Sequence, residues 1–145
     1  MTMIQPNRLL YLLKILCGLS AFHAITAGGF YLLFGVEGLA MTGSVFEMES
    51  GSRDWVTVDF FLRAIAGIWL VFGAMLAFIT PSLERHTAWF RFCCAAILFM
   101  GIGRMVSLIN FGACTNPIFA MYAEFVVPIV LLSLHWVALR SEKVQ

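Results

Sequence analysis

Residues 58–80 read VDFFLRAIAGIWLVFGAMLAFIT, and Asp59 and Arg63 are the only charges in that run. At 1.5 Å rise per residue, about 20 apolar residues in a helix cross the roughly 30 Å hydrocarbon core of a bilayer. The stretch Val58–Thr80 is long enough to do so. Three others match it: Leu9–Phe34, Ala88–Asn110 and Ile118–Leu139. The fold expected is an all-α, integral membrane, antiparallel four-helix bundle, a single domain with an outer loop over residues 35–57.

Composition supports that reading. Of the 145 residues 61% are apolar and 12% are charged, where a soluble domain carries about a quarter. Mean hydropathy is +0.93. Charge this sparse cannot cover a folded surface in water, so the lipid bilayer is the expected solvent for most of the exterior. The net charge of +1 gives no steering toward nucleic acid.

The first stretch follows Arg8 and contains Lys14, the charge pattern with which a secretory leader begins. It is too long for the apolar region of a leader and is read as a retained helix. Pro6 precedes it, Pro81 ends the second stretch, and Pro117 opens the fourth, where a missing N–H costs least. Orientation follows from flanking cations. The N-terminus, second loop and C-terminus hold Arg8, Lys14, Arg85, Arg91, Arg140 and Lys143, whereas the first and third loops hold only Arg53. Six against one places both termini in the cytoplasm, with a bacterial inner membrane as the expected location.

Helices in lipid associate through small residues that let backbones approach. Ser20, Ala24 and Gly28 form one such ladder, Gly73 and Ala77 a second, Gly103 and Ser107 a third. Cys17, Cys93 and Cys94 lie in apolar runs and read as small buried hydrophobes, leaving Cys114 as the thiol open to a membrane-impermeant reagent. No Cys-x-x-Cys or Cys/His cluster suggests a metal site. No two histidines share a depth suited to haem, so no cofactor is expected.

Five ionisable residues lie where hydrocarbon makes them costly, by about 2.5 kcal/mol or more at the centre. They are His23, Asp59, Arg63, Arg104 and Glu124. With the orientation above, Arg63, Arg104 and Glu124 fall roughly 8–9 Å below the outer boundary, and Asp59 lies one turn above Arg63 on the same face. Two acids and two arginines at one level are expected to pair, because the guanidinium fork suits a carboxylate and stays charged in apolar surroundings. Pro128 frees the carbonyl of Glu124 toward the same group. His23 sits deeper and is expected in the bundle interior.

The segments Asp59-Phe-Phe-Leu-Arg63-Ala-Ile-Ala-Gly67 and Gly103-Arg104-Met-Val-Ser107, with Glu124, resemble a family of small uncharacterised bacterial four-helix membrane proteins. That family is a domain of unknown function near the DoxX-like proteins. Where it usually shows an acid before the glycine of the third loop, this chain has Asn110-Phe111-Gly112. The resemblance implies a fold and no established activity. No nucleophile–base pair, metal set or phosphate loop can be assembled, so no catalytic residue is assigned. Two functions remain. One is a non-enzymatic accessory subunit of a larger membrane complex or homo-oligomer, or a module binding a lipid or quinone-like amphiphile. The other is a small proton-coupled transporter or membrane enzyme acting on a lipid-like substrate.

Overall fold

The computed structural model describes residues 6–42, 50–111 and 115–142. Four helices account for nearly all of them: α1 (Pro6–Met41), α2 (Arg53–Ile79), α3 (Thr87–Phe111) and α4 (Thr115–Glu142). A single 3-10 turn, Thr80–Ser82, follows α2, with Pro81 inside it. No strand occurs among the described residues. Four helical spans, Arg8–Met41, Arg53–Ser82, Thr87–Asn110 and Met121–Arg140, are long and apolar enough to cross a membrane.

Each helix begins before its apolar stretch, because hydropathy marks only the part that needs lipid. The largest differences fall in residues 35–57, expected as a loop. There α1 continues to Met41, and α2 begins at Arg53 behind a cap in which the Trp55 N–H donates to Ser52 Oγ at 3.2 Å. At the other end of the chain Arg140 stacks 3.7 Å over the Trp136 ring, a cation in the last turn of α4 where the helix dipole favours one. Glu47, Glu49, Gly43, Gly112, Cys114 and Lys143 lie outside the described residues.

The chain divides into two compact units, Leu19–Phe78 and Met1–Gly18 with Ile79–Gln145. In the first, α1 and α2 run antiparallel at close range. A Cβ on Gly28 would lie 2.7 Å from Leu70 N and 2.9 Å from Ala66 O. One on Gly73 would lie 2.8 Å from Ile25 N. Backbone meets backbone here, which is the use that membrane helices make of small residues. Of the three ladders, Ala24, Gly28 and Gly73 are buried at this contact, while Ala77, Gly103 and Ser107 are exposed.

In the second unit α3 packs antiparallel on α4, with Phe90 against His135 and Gly101 against Glu124 and Phe125. Its core holds Leu13, Cys17, Leu83, Phe90, Cys93 and Cys94, none more than 1% exposed. The three thiols are therefore buried, as apolar side chains of their size would be. Outside, large apolar side chains such as Phe22, Phe78, Phe99 and Ile109 are at least 67% exposed. A surface of this kind suits lipid far better than water.

Candidate functional site

Asp59, Arg63, Arg104 and Glu124 form two ion pairs, one within each unit. In Leu19–Phe78, Arg63 Nε donates to Asp59 Oδ2 at 2.7 Å across one helical turn. The pair does more than neutralise itself. Helix α1 breaks at Gly35, whose φ of 55° and ψ of −135° are open to glycine and strained for other residues. A break leaves carbonyls without partners on one side and N–H groups on the other. Arg63 Nη1 donates to the carbonyls of Leu32 and Leu33, both at 2.8 Å. Asp59 Oδ1 accepts from the Val36 N–H at 2.9 Å. One acid and one base thus satisfy both sides of the interruption.

Gly35 is needed for space as well as for its φ. A Cβ there would collide with Asp59 Oδ1 and come within 2.9 Å of Arg63 Nε. Beside this clamp lies an open groove of about 490 Å³, lined by Leu32, Val56, Phe60 and Ala64 around Asp59 and Arg63. Its walls are apolar and its polar floor is already hydrogen-bonded.

In the other unit Arg104 meets Glu124. The Nε–H is directed at Oε1, 3.0 Å away. Oε2 is equally near, 2.9 Å from Nε, but no hydrogen points at it, and it is buried without a hydrogen-bond donor among the described residues. The two partners differ in exposure: 41% for the Arg104 side chain and 5% for that of Glu124. Gly101 makes room for the acid, since a Cβ there would press on Glu124 Cβ at 3.3 Å. Pro128 is fully buried within α4, one turn beyond Glu124.

His23 was expected in the interior and instead lies exposed on α1, its ring 6.2 Å and edge-on from that of Trp69. Ala21, Ala24 and Gly28 take the inward positions, and at about 100° per residue His23 is carried off that face. Its described contact is with Trp69 and not with Asp59 or Arg63.

Two further features were missed from the sequence. Lys14 Nζ donates to the Pro81 carbonyl and pairs with Glu84, each at 2.8 Å. Burial pushes the Glu84 carboxyl up, but the Lys14 hydrogen bond, its own backbone N–H and the charges of Lys14 and Arg85 outweigh this, leaving it below the usual glutamate range. In the sequence Lys14 reads only as an orienting charge. His135 is 2% exposed against Phe90, and its Nε2 has no partner among the described residues. Periodicity could have suggested it, since Leu131, His135 and Ala138 share one buried face of α4.

No group of three His, Cys, Asp or Glu among the described residues could hold a metal ion. What the geometry defines is an all-α protein with four membrane-length helices and two ion pairs set in apolar segments. The chain belongs to the family described as a domain of unknown function, DUF4345, whose model matches residues 12–135. Nothing matches among curated proteins or among solved structures.

Proposed function

We propose that the chain is a four-helix inner-membrane bundle of bacterial origin, related to the DoxX-like proteins, with both termini cytoplasmic. In this reading it acts without catalysis, as an accessory subunit that binds an amphiphile. The groove beside Asp59 and Arg63 carries the proposal. Leu32, Val56, Phe60 and Ala64 offer an acyl chain or prenyl tail an apolar wall, while the clamp presents a polar floor to the head. Such a mixture suits a ligand that is itself polar at one end.

The experiment fills the groove without touching the clamp. Ala64→Trp should leave the fold intact and lower the amount of lipid or quinone that co-purifies from gently extracted membranes. Unchanged co-purification would sink the groove as a binding site. Orientation is tested by reporter fusions. Those after Ser82 and Lys143 should report cytoplasm and those within 47–52 the outside; an outward C-terminus would overturn the topology.

Proton-linked transport is a second reading, favoured by one observation. Glu124 is a buried carboxylate with an oxygen that accepts from no donor among the described residues, the kind of group that takes up a proton in a membrane carrier. Proton flux in liposomes that vanishes in Glu124→Gln would support it. Equal flux in the two would remove it.

A further inference from the structure

Arg104 has hydrogen-bonding capacity that the described protein leaves unused. A guanidinium carries five N–H donors. One, on Nε, is taken by Glu124. The four on Nη1 and Nη2 have no hydrogen-bond partner among the described residues. The spans of α3 and α4 hold no second carboxylate to receive them, because Glu124 is the only acid between Thr87 and Arg140. In hydrocarbon, donors left in this state are expensive, and water is not there to take them.

The exposure of the pair is also informative: the Glu124 side chain is 5% exposed and that of Arg104, held through its Nε, is 41% exposed. The two Nη groups form one flat edge, the edge that grips a phosphate or carboxylate with two parallel hydrogen bonds. A Cβ on Gly103, next to Arg104, would meet nothing within 4 Å, and Ile102, Met105 and Val106 are exposed elsewhere on α3. Ser107, also exposed and three residues along the same helix, adds a hydroxyl on the same side. Arg104 stands seven residues before the end of α3, about 10 Å along its axis. An arginine side chain bridges most of such a depth toward the headgroup level.

We propose that the free edge of Arg104 binds the oxyanion of an anionic lipid, phosphate or carboxylate, with the acyl chains lying along the exposed apolar face of α3. This proposal makes no use of the groove beside Arg63. It rests on the reading above only in taking the four spans to lie in a bilayer.

The test uses the full chain reconstituted in phosphatidylcholine vesicles, with or without a minority of phosphatidylglycerol. Native mass spectra then show which lipid stays bound. Flotation with the vesicles checks membrane insertion first, and failure to float would overturn the membrane reading itself. Given flotation, the wild type should retain phosphatidylglycerol over phosphatidylcholine by about tenfold, about 1.4 kcal/mol, because the choline ammonium neutralises a phosphate that phosphatidylglycerol leaves as a net anion. Arg104→Lys keeps the charge and loses the fork, and should lose most of that preference. Ser107→Ala should lose less. A Gly29→Ala variant, at a position where a Cβ meets nothing within 4 Å, should keep the preference intact.

Equal retention of the two lipids by the wild type would overturn the proposal, as would an undiminished preference in Arg104→Lys. Should Arg104→Lys not fold, oleate added to wild type in phosphatidylcholine replaces it as the probe, and failure of oleate to displace bound phosphatidylglycerol overturns the site. Inorganic phosphate that displaces phosphatidylglycerol as well as oleate does would assign the edge to a free oxyanion and overturn the lipid. An Arg104-dependent dimer carrying no lipid would assign it to a second copy, with the same consequence.

Discussion

The Val36 N–H donates to Asp59 Oδ1 at 2.9 Å, so a peptide group freed by the break in α1 is satisfied by a side chain of α2. The same carboxylate orients Arg63, which caps the other side of the break. Break and clamp depend on each other, and either is costly without its counterpart.

Gly35→Ala should therefore destabilise the protein by about 2–4 kcal/mol, combining a positive φ with loss of the Val36 hydrogen bond. Asp59→Asn keeps an acceptor for Val36 but uncouples Arg63, and should cost less. The measurement is the thermal midpoint in detergent. A Gly35→Ala protein as stable as wild type would mean that the break is not fixed by this geometry.

Glycines at and away from the α1–α2 contact should separate cleanly. Gly28→Ala drives a methyl into backbone atoms of Ala66 and Leu70, and overpacking of that kind costs about 1–3 kcal/mol. At Gly29 a Cβ meets nothing within 4 Å. Gly29→Ala should be neutral, or stabilising by a few tenths to about 1 kcal/mol through helix propensity. Equal effects would mean that the two helices do not approach at Gly28.

The pair of Lys14 and Glu84 predicts a dependence on pH. Folding lowers the Glu84 pKa, so the folded state holds fewer protons through the acid range. The contribution is fully present above the ordinary glutamate value of about 4.3 and is lost as pH falls through the lower folded value. Both side chains are partly exposed, at 27% and 30%, which limits the pair to about 0.2–1 kcal/mol. Stability curves of wild type and Lys14→Met should converge at low pH. A gap of constant size would mean that Glu84 does not sense the ammonium.

Arg104 and Glu124 should be strongly coupled in a double-mutant cycle. Arg104→Leu leaves a buried carboxylate without its cation, which costs about 3–5 kcal/mol, and adding Glu124→Leu should return much of it. Measured in detergent by thermal midpoint, the two changes should be non-additive by about 1 kcal/mol or more, the scale of contacting charged pairs. Additivity would mean that the two side chains do not interact.

The helices were legible in the sequence because hydrocarbon imposes a length and an apolarity that few other environments demand. The pairing of Asp59 with Arg63 followed from their spacing of one turn. Gly35 was not legible: at the end of an apolar run a glycine looks like the start of a loop, and its φ depends on a partner twenty-four residues away. Sequence leaves the structure of residues 36–41 open for the same reason, since a helix that resumes after a break carries no separate apolar signal. His23 was misplaced because depth along a helix can be counted from sequence, whereas the face it occupies depends on which neighbours pack. The unused edge of Arg104 required coordinates, for sequence shows that a charge is present and not which of its donors are engaged.

The division of the chain has a bearing on biogenesis. Leu19–Phe78 is contiguous, so its hairpin has every residue it needs once α2 has left the ribosome. The other unit joins the first turns of α1 to Ile79 and beyond. Lys14 meets Pro81 and Glu84 only after α2 has been made, and Phe90 meets His135 only when α4 is nearly complete. During synthesis Leu13 and Cys17 therefore wait for a core that arrives last. The insertion machinery, or lipid, must shield that end of α1 in the interval.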